Sequence, residues 1–259
     1  MILHEIAAVM YRDFKKLTAY PLRTLWHLGW SMFIIFIIIG GIALHMKFDL
    51  NSMNAVETPQ MQANPEFFAA GIIGLYIGFV GFNLGYDLIN DRKGFIRLML
   101  AAPISSYSLF FGKIFSTIAT MLVFIPFMLM TFFMSFKIFS WARLFLAVMF
   151  MALAAGTFQG ISAAISTFFK DAKFYIEFIG VFYFIFLILS GVLFPIDTLP
   201  AFYQYLAQLI PMTYVVDGMR AIMLNESVFG LLHNVIALAG FALVSIVGGM
   251  YFFERQSRK

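Results

Sequence analysis

The side chains able to do chemistry are few in this chain, and their spacing rules out most of it. The four histidines, His4, His27, His45 and His233, lie too far apart for metal-ligand spacing, and there is no cysteine to supply a thiolate. The one Gly-Lys pair, Gly112–Lys113, has Tyr107 where a phosphate-binding P-loop requires glycine, so the chain is not expected to hydrolyse ATP itself. No Gly-x-Ser-x-Gly elbow is present. No catalytic residue and no bound metal or cofactor is therefore expected. No carboxylate falls at the centre of an apolar run, which argues against a proton- or ion-coupled carrier working alone. What remains is contact chemistry. Asn83, Thr157, Gln159 and Ser162 fall within apolar runs. They suit hydrogen bonds between helices or, alternatively, a path for an amphiphilic substrate. Asp87, Asp91, Arg92, Lys93 and Arg97 alternate with Phe95, Ile96, Leu98, Met99 and Leu100 before Pro103. That mixture suits a short amphipathic helix, either docked in a groove of a soluble partner or lying on a membrane surface. Asp217 and Arg220, three apart, are spaced to pair on a helix.

The elements that must position these groups are set by composition. Of 259 residues, 62% are hydrophobic, 12% are charged and 34 are Phe. Soluble domains are roughly 45–50% apolar and about 25% charged. The expected fold class is an all-α integral membrane protein, a single domain over 1–259. Apolar runs long enough to cross a bilayer fall at 25–44, 67–89, 109–133, 142–168, 175–194 and 231–253, giving six spans. Of 17 Lys and Arg, only Lys47, Lys137, Arg143 and Arg220 fall on one side when both termini are cytosolic, which fixes that orientation. Residues 1–23 carry Ile2, Ile6, Val9, Met10, Phe14 and Leu17 at helical spacing, with Glu5, Arg12 and Lys16 on another face. This reads as a helix on the membrane surface with its basic residues near anionic head groups, the plainer reading being a solvated leader. In the second span Gly71, Gly74, Gly78, Gly81 and Gly85 form one stripe. Close helix packing is the main reading and a smooth wall for a sliding substrate the other. The segment 195–230 holds Pro195, Pro200 and Pro211, so it breaks into two short helices, 199–210 and 213–224, neither able to span. Two helices dipping into the outer leaflet and returning make a gate at the outer exit.

At these segments the chain resembles the permease subunits of type-2 ABC exporters, a family that includes daunorubicin-resistance, nodulation-factor and polysaccharide-export permeases. The resemblance is carried by Asp91-Arg92-Lys93-Gly94 through Leu98, Leu100, Ala102-Pro103 and Gly112-Lys113. It continues in Ser190-Gly191-Val192-Leu193-Phe194-Pro195, Leu199-Pro200, Pro211-Met212-Thr213-Tyr214 and Asp217-Gly218-Met219-Arg220. It implies a cytosolic coupling segment over 87–108, with Asp91, Arg92, Gly94, Phe95, Leu98, Leu100 and Pro103 contacting a separate P-loop ATPase. It implies an outer gate of re-entrant helices over 195–230, with Phe194, Pro195, Leu199, Pro200, Pro211, Tyr214, Asp217 and Arg220. Two ATPase copies carrying ATP and Mg, a second permease subunit (a homodimer), membrane lipid and no nucleic acid are the implied partners. The implied location is the inner (plasma) membrane. The closer likeness to the daunorubicin type implies export of a hydrophobic or amphiphilic small molecule, against a polysaccharide or lipid-linked glycan as the alternative within the family. A carrier or channel needing no ATPase is the alternative outside it.

Overall fold

The computed structural model describes residues 2–19, 65–92, 105–135, 140–192, 196–224 and 228–257. Among them every regular element is helical. In chain order these are α1 (Ile2–Ala19), α2 (Pro65–Arg92), α3 (Ser106–Ser135), α4 (Trp141–Ser166) and α5 (Ala172–Leu189). After one 3₁₀ turn (Ile196–Thr198) come α6 (Ala201–Gln208), α7 (Pro211–Met223) and α8 (Val228–Ser257). Four of the helices are long and apolar enough, among the described residues, to cross a membrane: α4, α5, and the stretches 69–92 of α2 and 229–256 of α8. The expected third span lies inside α3, a helix of 30 residues that continues past Pro126. The expected first span, 25–44, lies outside the described residues.

The bundle is organised around α4. More than half of its 26 residues are buried, including Ala154–Gln159 and Gly160. It packs chiefly against α8 and α2, with α3 and α7 closing other sides. Small residues permit this. A methyl group added to Gly160 would lie 2.6 Å from the backbone carbon of Ser245, and one on Gly249 would lie 2.6 Å from the Gly160 carbonyl oxygen. The two helices therefore touch backbone to backbone, as small residues allow in membrane bundles. Ser245 Oγ donates to the Thr157 carbonyl at 3.0 Å across the same contact.

The glycine stripe of α2 works the same way, with several neighbours. Gly71 lies against the Val192 carbonyl, Gly74 against Val216, Gly78 against Met212 and Tyr183, Gly81 against Phe158, and Gly85 against Tyr175 and Ser162. By contrast α5 and α8 leave apolar faces exposed, among them Phe184, Ile188, Val244 and Val247.

The 195–230 region does break into two short helices. The second starts at Pro211, two residues earlier than the sequence suggested, because a proline at the first helical position loses no hydrogen bond. Just after α5, Gly191 stands at φ 74°, a left-handed conformation that glycine adopts without steric penalty.

Candidate functional site

One end of the bundle gathers charge. Helix α1 turns Glu5, Val9, Arg12 and Asp13 toward α3; these stand at positions i, i+4, i+7 and i+8, one face of a helix. Val9 is fully buried against Gly112, where an added methyl group would come within 2.8 Å of the Val9 β-carbon. This close approach sets the depth at which α1 sits. It brings Arg12 to Asp91 in the last turn of α2: Nη1 and Nη2 donate to the two carboxylate oxygens at 3.3 and 3.2 Å. Lys113 rises from α3 into the same place, its Nζ 2.5 Å from Asp91 Oδ2 and 3.1 Å from Asp13 Oδ2. Arg12 also reaches Asp13 at 3.3 Å.

Two cations and two carboxylates thus meet across three helices, with a third carboxylate, Asp87, near enough to act on Lys113. The four side chains are only 5–19% exposed, so water screens their attraction weakly. A lysine this deep is tolerable because its stem packs on apolar neighbours while its charge meets two carboxylates.

The next residue, Arg92, points the other way. Its guanidinium donates to the Ser166 and Phe169 carbonyls at 3.0 and 3.4 Å and to Ser166 Oγ at 3.1 Å. These groups lie at the C-terminal end of α4, where helix carbonyls lack internal partners and a cation is favoured. Gln256 of α8 donates to Thr167 at 3.1 Å and finishes the cap. Glu5 accepts from the Ser105 N–H at 3.1 Å, and Ser105 Oγ accepts from the Ser108 N–H at 3.1 Å, the N-cap bond of α3. The Ser108 hydroxyl and then the Ser105 N–H hold the Glu5 carboxyl below its ordinary pKa.

The sequence placed Arg12 beside lipid head groups. The structure corrects this: Arg12 faces inward and pairs with Asp91. A half-buried carboxylate held in fixed geometry attracts it more strongly than a screened membrane surface does. The sequence reading also passed over Arg12, Asp13 and Lys113 as site residues. Lys113 stood in the Gly112–Lys113 motif, and its place in a mainly apolar run was the available signal. Of the expected coupling residues, Asp91 and Arg92 are brought into this junction; Gly94, Phe95, Leu98, Leu100 and Pro103 lie outside the described residues.

At the far end of α2, Arg220 of α7 is the organising side chain and is 4% exposed. Its Nη2 donates to the Gly191 and Val192 carbonyls at 2.6 and 3.2 Å, and its Nε donates to the Phe67 carbonyl at 3.4 Å. The guanidinium carbon stands 3.3 Å above the centre of the Phe67 ring, a cation–π contact. Asp217 pairs with it at 3.6 Å, as the spacing suggested. Leu199 and Pro200 precede α6, and the Leu199 carbonyl accepts from Gln204 at 2.8 Å. Pro211 opens α7, and the Tyr214 hydroxyl donates to the Gln208 carbonyl at 2.8 Å, tying α7 to α6. Phe194 and Pro195 lie outside the described residues.

The four mid-bundle polar residues are not brought together. Asn83 is on an exposed face of α2. Thr157 donates to the Leu153 carbonyl at 3.0 Å and reaches that of Leu238 on α8 at 3.4 Å. Ser162 donates to the Phe82 carbonyl at 2.9 Å, accepts from the Gly85 N–H at 2.6 Å and lies 2.8 Å from the Tyr175 hydroxyl. Gln159 is buried, and neither of its polar atoms is bonded among the described residues.

An apolar bundle whose deeply buried charges, Lys113 and Arg220, are spent on holding helix to helix defines a membrane-spanning protein. The sequence profile of the ABC-2 type transporter family matches residues 4–224, most of the chain, and the chain belongs to that family. The ABC-2 membrane domain is a permease component and not itself catalytic, and it normally works with a separate ATPase subunit. A stretch of 71 residues is also 41% identical to "Uncharacterized protein YhgE" of Bacillus subtilis (strain 168). That stretch is 27% of this chain and 9% of the Bacillus protein, so the chain spans a small part of that relative's length.

Proposed function

We propose that this chain is the transmembrane subunit of an ATP-driven exporter that moves a hydrophobic or amphiphilic small molecule out of the cytoplasm. A separate P-loop ATPase, present in two copies, binds ATP and Mg, and a second copy of the chain completes the permease. The end bearing Asp91 and Lys113 faces the cytoplasm, as does each terminus, which the distribution of Lys and Arg supports.

The observation that carries this reading is the junction at Asp91 and Arg92. The sequence from 93 to 104, with Phe95, Leu98, Leu100 and Pro103, is bounded by two fastened residues. Arg92 is bonded to the end of α4, and the N–H of Ser105 is bonded to Glu5 of α1. Asp91, one residue earlier, is held by α1 and α3 together. A push delivered to that segment by an ATPase closing on nucleotide is therefore handed to α1, α2, α3 and α4 at once. Arg220 holds the far end of α2, where the outer gate would sit, so the same helix joins the coupling segment to the exit.

The test is reconstitution with the co-purifying ATPase. Asp91→Asn removes the charge that holds Arg12 and Lys113 and keeps the shape. The expected result is retained basal ATP hydrolysis with lost transport. Transport by the chain alone, with no nucleotide and no partner, would refute the reading.

A further inference from the structure

Gln159 of α4 is fully buried, and among the described residues neither its Oε1 nor its Nε2 has a hydrogen-bond partner. Thr157 and Ser162 on the same helix are bonded to α8 and α2. A primary amide offers two N–H donors and one acceptor oxygen, and burying it unbonded is unfavourable. Leucine would fill the same place without that penalty, so packing alone does not explain glutamine here.

The surroundings supply the second observation. Within one helical turn of Gln159 stand Ala155, Gly156 and Ala163, all small and on its side of the helix. Gly156 is buried, yet among the described residues a methyl group built on it meets nothing within 4 Å. At Gly81, Gly85 and Gly160 the same methyl group overlaps a neighbour. Among the described residues, therefore, nothing fills the flank of α4 that carries the unbonded amide. Helix α2 closes one side, through Ser162, and α8 the other, through Thr157 and Gly160. Ala163, in one apolar cluster with Phe110 and Ile114 of α3, closes the end toward the charged junction.

We propose that Gln159 and the notch beside Gly156 form an internal polar site for a small neutral group that both donates and accepts a hydrogen bond, a hydroxyl being the simplest. An amide has no charge to compensate an ion, so a neutral group is the fit. Two sources share this chemistry: a water held in the bundle and a hydroxyl on the transported molecule. The second source rests on the export reading; the site itself does not.

The chain contains no cysteine, so single-cysteine variants report without background. Gly156→Cys and Ala147→Cys, the latter at a fully buried core position, are treated in native membranes with the complex intact. The probes are propyl and hydroxyethyl methanethiosulfonate. The site predicts that Gly156→Cys reacts at least about ten-fold faster than Ala147→Cys, because a close-packed interior excludes the reagent. It also predicts a preference for the hydroxyethyl probe that disappears when Gln159→Leu is added. Equal rates at the two positions, or a preference that survives Gln159→Leu, overturns the site. Substrate-stimulated ATP hydrolysis in Gln159→Leu then assigns the source: a several-fold loss assigns the hydroxyl to the cargo, and no change assigns it to water. If no ATPase co-purifies, the labelling still decides the site and only the export reading fails.

Discussion

Replacing Lys113 by methionine removes the central cation of the charged junction and leaves the stem to pack as before. Asp91 and Asp13 lose contacts of 2.5 and 3.1 Å and keep Arg12 as a shared partner. Breaking one partner out of a buried pair costs about 3–5 kcal/mol. Both carboxylates are 13–14% exposed and each keeps Arg12 as a partner, which places the loss at the lower end, about 3 kcal/mol. For a chain of this size that is roughly a 6–12 °C drop in melting temperature, read in mild detergent. The sharper test is the second substitution. Adding Asp91→Asn to Lys113→Met leaves Arg12 with Asp13, a balanced pair, so the double variant should melt higher than Lys113→Met alone. Such a departure from additivity is what a double-mutant cycle measures for residues in contact. A double variant that loses the plain sum of the two single losses would refute the reasoning, because it would mean that the cluster is not one interacting unit.

Three further outcomes follow from named contacts. Gly85→Ala forces a methyl group to within 2.7 Å of Ser162 Oγ and into the Tyr175 hydroxyl, both pinned by hydrogen bonds, and should cost about 1–3 kcal/mol. Gly156→Ala, whose added methyl group meets no described atom within 4 Å, should be neutral or stabilising by up to about 1 kcal/mol; thermal melts of the pair decide, and equal losses would contradict the packing argument. Arg220→Lys should lose order around the 3₁₀ turn almost as fully as Arg220→Met, because an ammonium cannot span the Gly191, Val192 and Phe67 carbonyls together; limited proteolysis of the 3₁₀ turn region reads this, and a lysine variant indistinguishable from the parent would sink it. Glu5 has a lowered pKa, so its contribution is present above the unfolded-state value and lost as pH falls through the lowered folded value. Docking of α1 should therefore weaken in the acid range below about pH 4.3, and Glu5→Gln should flatten that response. Fluorescence of a probe on α1 against pH checks it.

Much of the helix order was legible because long apolar runs have few alternatives. The two short helices after α5 were legible because Pro200 and Pro211 leave no room for one long helix. Partnering was another matter. Arg12 and Asp91 are 79 positions apart, and Glu5 and Ser105 are 100 apart. Periodicity shows which residues share a helix face and says nothing about what meets that face. That is why Arg12 read as a lipid-facing residue. The α2 glycines were legible as one stripe, but the stripe does not disclose that Gly71 meets the chain after α5 while Gly85 meets α4. In α4, buried residues lie all round the helix, so no apolar stripe existed to indicate which side Gln159 occupies.

Helix α2 has 28 residues and is therefore about 42 Å long, more than the hydrocarbon thickness of a bilayer. Its polar fastenings concentrate toward its ends, at Asp91 and Arg92 on one side and at Phe67 on the other, with Ser162 and Tyr175 meeting it between. Between the ends its five glycines let neighbouring helices approach closely, while Ile73, Ile77 and Phe82 pack into the core and Leu75 accepts from the Tyr183 hydroxyl. Mechanically it is a stiff strut fastened at both ends. On the proposed export reading, a displacement imposed at Asp91 reaches Phe67, and through it Arg220, along one continuous helix.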